Sequence, residues 1–121
     1  MKIPISKPYF TKKEEKIIIK PLKSGWVVQG PFVNKFQENF SSFTKARYSF
    51  ATTSCTTALH LSLVALGIKA GDKVLIPSFT YIATANAVEQ IGADVVFCDI
   101  SLDTFNIDEL KIENLIENDV K

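Results

Sequence analysis

The sequence predicts an α/β fold with a mostly parallel sheet and helices on its faces. Short apolar runs alternate with longer helical patterns, in the order "YSFAT", "TTALHLSLVALGI", "KVLIP", "TYIATANAVEQIG", "ADVVFCDI" and "DELKIENLIEN". Turns such as "KAGDK" separate them. Strands that alternate with helices favour parallel pairing, because a parallel pair needs a long crossover.

The individual elements follow in chain order. Residues 1–11 carry two prolines and read as an extended arm. In "TKKEEKIII", Thr11 suits a helix N-cap, and Glu14 three residues on completes a capping box. This helix is expected to weaken before Pro21, which lacks an amide hydrogen and clashes with the preceding turn. "SGWVVQGP" reads as a loop bounded by Gly25 and Gly30, and Pro31 suits a first helical position. Phe32, Phe36, Phe40 and Phe43 then recur at helical spacing on one face. Strands are expected near residues 47–52, 73–77 and 94–99. Helices are expected near 31–44, 56–67, 80–91 and 108–117. The helix after "YSFAT" is apolar almost all round and is expected to be buried. The organisation expected is an arm, helix and loop over residues 1–30, then a larger unit from residue 31 onward.

Bulk properties narrow the function. The chain has 121 residues, 46% hydrophobic and 22% charged, which suits one domain with a packed core. A formal net charge of +1 leaves no electrostatic footprint for nucleic acid or an anionic membrane surface. No apolar run reaches the roughly 18 residues of a membrane helix. The opening "MKIPISKPYF" has no apolar signal core. Cys55 and Cys98 do not make a disulfide framework, so a reduced, cytoplasmic setting is expected. No metal site is expected.

The stretch "TTSCTTAL" holds the most chemistry. It crowds small hydroxyl and thiol residues into the start of a helix. Helix N-termini present free amides and the positive end of the dipole, and phosphate is their usual guest. The turn reads as a phosphate cradle; an ordinary N-cap at Ser54 or Thr53 with nothing bound is the other reading. It lacks the glycines of a P-loop or a dinucleotide fingerprint. In "IPSFTYIATANAV", Tyr81 stands where a strand ends and a helix begins. It could stack on a flat ligand whose phosphate sits in the cradle, or serve as a core or interface aromatic. Ligands in open parallel sheets bind outside the carboxyl ends of the strands, where both stretches fall.

"SGWVVQGPFVNKFQENF", "ATTSCTTALHLSLVALGIKAGDKVLIPSFTYIATANAV" and "GADVVFCDISLDTFNID" together resemble the opening segments of the DegT/DnrJ/StrS sugar aminotransferases, pyridoxal-phosphate enzymes of fold type I. The likeness covers nearly the whole chain, in order and with spacings kept. It implies the N-terminal part of the fold type I large domain, a three-layer αβα unit with a mostly parallel sheet, incomplete at the C-terminus and beginning at residue 31. It implies pyridoxal 5'-phosphate as cofactor, a nucleotide-linked keto-sugar as substrate, glutamate as amino donor, and a homodimer. Ser54, Cys55, Thr56 and Thr57 match the family's phosphate-binding turn, although most members have glycine or alanine where Cys55 stands. Tyr81 matches the aromatic that stacks on the pyridine ring. Trp26, Gly30 and Pro31 match a segment near the substrate mouth and the dimer contact. Asn86 and Asp99 match as well and read as structural, as does His60 as a packed histidine.

No segment of residues 1–121 matches the family's catalytic lysine motif or the acid that pairs with the pyridine nitrogen. Lys69 and Lys73 read as turn lysines. The resemblance therefore implies a part of an enzyme that is inactive as this chain alone. A sugar dehydratase of the same family, or a non-catalytic remnant that binds a phosphate or a partner, are the other readings.

Overall fold

The computed structural model describes Pro4 and residues 6–116; part of the expected arm and the end of the expected last helix lie outside them. The chain divides into two compact units, Met1–Ala51 and Thr52–Lys121.

The first unit is helical. Helix α1 spans Lys12–Ser24, with the full capping box formed: Thr11 caps Lys13 and Glu14 reaches back to the Thr11 amide and hydroxyl. Contrary to expectation, α1 runs through Pro21 to Ser24. The proline costs one helical hydrogen bond but sits near the end of the helix. There Ser24 Oγ donates to Pro21 O at 2.7 Å, and Gly25, at φ 72°, closes the helix through its N–H to Leu22 O. The loop from Gly25 leads to α2, Pro31–Thr44, with Pro31 at the N-terminal position expected of it. The phenylalanine stripe of α2 is exposed, and the rings of Phe36 and Phe40 lie 5.9 Å apart.

The expected strand at residues 47–52 does not form. A strand needs a ladder partner, and here the backbone finds side chains of α2 instead. The Ala51 amide donates to Gln37 Oε1 at 2.8 Å, and Ser49 Oγ pairs with Ser41 Oγ at 2.9 Å.

The second unit contains α3 (Cys55–Ala65), β1 (Lys73–Pro77), α4 (Ala83–Glu89), β2 (Asp94–Cys98) and a short α5 (Glu109–Ile112). Strands β1 and β2 are parallel, with Val74 opposite Val95 and Ile76 opposite Phe97. Helix α4 is their crossover. Val74, Ile76, Val88 and Ala93 form the core, with Leu63, Ile68, Ala85 and Val95 packed around it. Cys98 is fully buried.

Three expectations change here. No residue of α3 is buried, although the helix is apolar all round. Only one face, through Leu63, meets the core, while Leu61 and Val64 stay half exposed. Helix α4 is shorter than residues 80–91, because residues 80–82 form a turn with no side-chain cap and Gly92 ends the segment at φ 78°. Helix α5 begins near the expected residue 108, with Asp108 as its N-cap, but lasts four residues before giving way to turns.

Candidate functional site

The start of α3 is built from its own hydroxyls. Ser54 is the N-cap, in extended conformation, and its Oγ accepts from the Thr57 amide at 3.1 Å. The Thr57 hydroxyl lies 3.0 Å from Ser54 Oγ and 3.4 Å from Thr53 Oγ1. Thr52 donates to Ser54 O. Cys55 and Thr56 fill the first two helical positions, and among the described residues their amides meet no acceptor. The Cys55 thiol is free and exposed. No acidic residue stands in this first turn. Small side chains, unmet amides, hydroxyls and no competing carboxylate are the donor set a phosphate needs, so this turn fits the phosphate of pyridoxal phosphate.

Tyr81 lies in the turn between β1 and α4 and is 80% exposed. Its carbonyl accepts from the Thr84 amide at 2.9 Å, while the hydroxyls of Thr80 and Thr84 pair at the same separation.

The fold brings the two turns to one edge of the sheet. Helix α3 packs along α4. The turns that follow them meet where the strands begin: Gly71 N–H donates to Gly92 O at 3.1 Å and Asp94 N–H to Asp72 O at 2.7 Å. A side chain on Gly92 would press on Ala70, with its Cβ 3.2 Å from that of Ala70. The N-termini of both helices therefore face the carboxyl end of β1 and β2, the edge where ligands of parallel sheets bind. Lys69 and Lys73 lie at the opposite edge, in the turn before β1 and at its first position. His60, on α3, is half-buried, and its Nδ1 is shielded from solvent without a partner among the described residues.

Beyond β2, Asp99 braces the following loop. Lys111 Nζ lies 2.6 Å from Asp99 Oδ2 and 3.9 Å from Asp108 Oδ2. The hydrogen bond from Lys111, helped by the Ile100 amide, holds the Asp99 carboxyl below its usual range, and the same bond raises Lys111. Asp99 thus serves the loop, and Asn86 lies exposed in α4 with its amide bonded to Ile82 O. Sequence reasoning did not find Lys111 or the ring pair Phe79–Phe105, 6.0 Å apart. Their partners are distant in sequence, and only the aromatic residue types signalled a contact.

In the first unit, Trp26 folds back over its own loop. Its Nε1 donates to Gln29 O at 2.5 Å, and its amide to Ser24 Oγ at 3.1 Å. A Cβ on Gly30 would lie 1.7 Å from Trp26 Nε1, so only glycine admits the indole there. Pro31 then opens α2. Trp26, Val27 and Val28 remain largely exposed.

Residues 8–121 match the model of the DegT/DnrJ/EryC1/StrS aminotransferase family. The chain belongs to this family. It is 41% identical, over 92% of its length and 28% of the relative's, to the spore coat polysaccharide biosynthesis protein SpsC of Bacillus subtilis. It is 37% identical, over 98% of its length and 33% of the relative's, to the GDP-perosamine synthase of Escherichia coli O157:H7. Among solved structures it is similar to Spr1654 of Streptococcus pneumoniae, assigned as a sugar aminotransferase and solved in its PMP-form. That likeness has a TM-score of 0.89, 34% identity, and coverage of 98% of this chain and 30% of that one. The same protein is also known in a PLP-form, so the small parallel sheet and its helices are part of an aminotransferase α/β fold. The chain spans about a third of the length of these DegT/DnrJ/EryC1/StrS relatives.

No helix among the described residues is long and apolar enough to cross a membrane. No metal-binding cluster of His, Cys, Asp or Glu occurs among them.

Proposed function

We propose that the chain is the N-terminal part of a pyridoxal-phosphate-dependent aminotransferase that acts on a nucleotide-linked keto-sugar, with glutamate as donor, in a cytoplasmic homodimer. Residues 31–121 open its cofactor-binding domain. The observation that carries this reading is the first turn of α3, with unmet amides and no acid, at the same sheet edge as Tyr81.

Within this reading, the amides of Cys55 and Thr56 and the hydroxyls of Ser54, Thr56 and Thr57 hold the cofactor phosphate, and the α3 dipole favours its charge. The ring of Tyr81 covers the pyridine and keeps water from that face. Bound pyridoxal phosphate supplies the electron sink for proton removal beside nitrogen. Since no lysine of residues 1–121 matches the catalytic motif of the family, these residues would position the cofactor without activating it. Trp26, Gly30 and Pro31 shape a contact at the substrate mouth and the dimer surface. The exposure of Trp26, Val27 and Val28 supports a covered surface there.

Titration with pyridoxal phosphate tests the site. Tyr81→Ala is expected to weaken binding by about 1 kcal/mol through lost stacking and area. Unchanged affinity would remove Tyr81 from the site. Borohydride reduction of the loaded chain tests the rest: stoichiometric labelling of one lysine, with amino transfer from glutamate to a keto-sugar nucleotide, would show the chain to be active by itself.

A further inference from the structure

Resting on the cofactor reading above, we propose that Phe105 is a positioning residue for Tyr81, acting through Phe79. The Thr84 amide holds the backbone of Tyr81 through its carbonyl, but the side chain stands open to solvent. It is 80% exposed and follows β1 in an irregular turn. Phe79, two residues earlier in that turn, is held from outside it: its ring lies 6.0 Å from that of Phe105, tilted by 48°. The amide of Ser78, beside it, donates to Cys98 O at 2.7 Å, which ties the start of the turn to the end of β2.

Phe105 reaches Phe79 from a loop that is closed at several points. Its φ is 57°, a left-handed conformation that bulky residues avoid. The loop imposes it: the Phe105 amide donates to Ser101 O at 2.8 Å, the Ser101 amide to Asn106 O at 2.9 Å, and Ile100 bridges Ile107. At the base, the Asp108 amide donates to Asp99 O at 2.9 Å and Lys111 clamps the Asp99 carboxylate. A strained aromatic held in place by its surroundings points to a role beyond packing. The core does not need it, since both rings are more than half exposed and neither belongs to the cluster around Val74, Ile76 and Val88. What the pair does fix is the turn that carries Tyr81.

The test is pyridoxal 5'-phosphate binding to the full chain, read as affinity and as the circular dichroism induced in the bound pyridine. Phe105→Ala is expected to weaken binding about 3- to 10-fold and to diminish the induced signal. Phe105→Tyr, which keeps the ring, is expected to bind like the unaltered chain. Phe105→Asn tolerates positive φ without a ring and is expected to fall with Phe105→Ala, which assigns the effect to the ring rather than the backbone. Combining Phe79→Ala with Phe105→Ala is expected to cost no more than either alone, because the two act as one unit. Should Phe105→Ala lose its structure, the Asn and Tyr variants decide. If Phe105→Ala and Phe105→Asn leave affinity and signal unchanged while Tyr81→Ala weakens binding, the cofactor reading stands and the role of Phe105 is overturned. If Tyr81→Ala changes nothing either, or the unaltered chain binds no cofactor, the cofactor reading fails and this inference falls with it.

Discussion

Helices α1 and α3 begin in opposite ways. At α1, Thr11 and Glu14 close a capping box, so the helix brings its own carboxylate to the Thr11 amide and hydroxyl. At α3, Ser54 makes the same N-cap bond, but the residue at the matching third position is Thr57 and the first turn holds no acid. The positive end of α1 meets a carboxylate of its own first turn, and the positive end of α3 meets none. The difference teaches that one residue at the third helical position, glutamate or threonine, decides whether a helix compensates the positive end of its dipole from within.

Transplanting that residue is the strongest way to break the contrast. Thr57→Glu gives α3 the box that α1 has. A carboxylate beside the proposed phosphate position is expected to reduce pyridoxal phosphate affinity at least about tenfold by repulsion, measured by titration. Retained affinity would place the phosphate elsewhere.

Removing the two caps sharpens the same contrast with a smaller effect. Thr11→Ala and Ser54→Ala are each expected to cost about 1 kcal/mol of stability in urea unfolding. Only Ser54→Ala is expected to weaken cofactor binding as well. Equal binding losses in both variants would mean that the loss follows general destabilisation.

The smallest effect is acid sensitivity. The hydrogen bond from the Thr11 hydroxyl, followed by that from its amide, lowers the Glu14 carboxyl below its ordinary 4.5. A lowered folded-state value means that the contribution is present above 4.5 and is lost as pH falls through the lower value. The protection of amides in the first turn of α1, relative to their intrinsic exchange, is therefore expected to fall on acidification below that point. The first turn of α3 has no acid of its own to protonate. The Asp99–Lys111 pair behaves like Glu14 on the acid side, below the ordinary 3.8 of Asp99, and loosens again as pH rises through the raised value of Lys111, above 10.5.

Much of this architecture was legible before the structure. The capping box at Thr11, Pro31 at the start of α2, Ser54 as a cap, and the apolar runs of β1 and β2 are local patterns, and each element formed where its pattern stood. The carry of α1 through Pro21 was not legible, because an end-of-helix proline is tolerated once Ser24 and Gly25 close the last turn. The exposure of α3 was not legible either. Composition says how much apolar surface a helix carries, and only its neighbours say how much of it is covered.

What the sequence by itself determined is therefore short-range: which residues cap, which turn, which alternate, and which small hydroxyls crowd one helix start. Its agreement in order with one family also placed the chain in the DegT/DnrJ/EryC1/StrS aminotransferase family. Tertiary structure decided what depends on partners far along the chain. Ala51 gave its amide to Gln37 rather than to a strand, because a ladder requires a neighbour that local propensity cannot supply. The turn at Ser54 and the turn at Tyr81 came to one edge because α3 and α4 pack side by side and the turns that follow them meet. Phe105, at φ 57°, met Phe79 from a different segment, a contact between residues too far apart in the chain for a local pattern to announce.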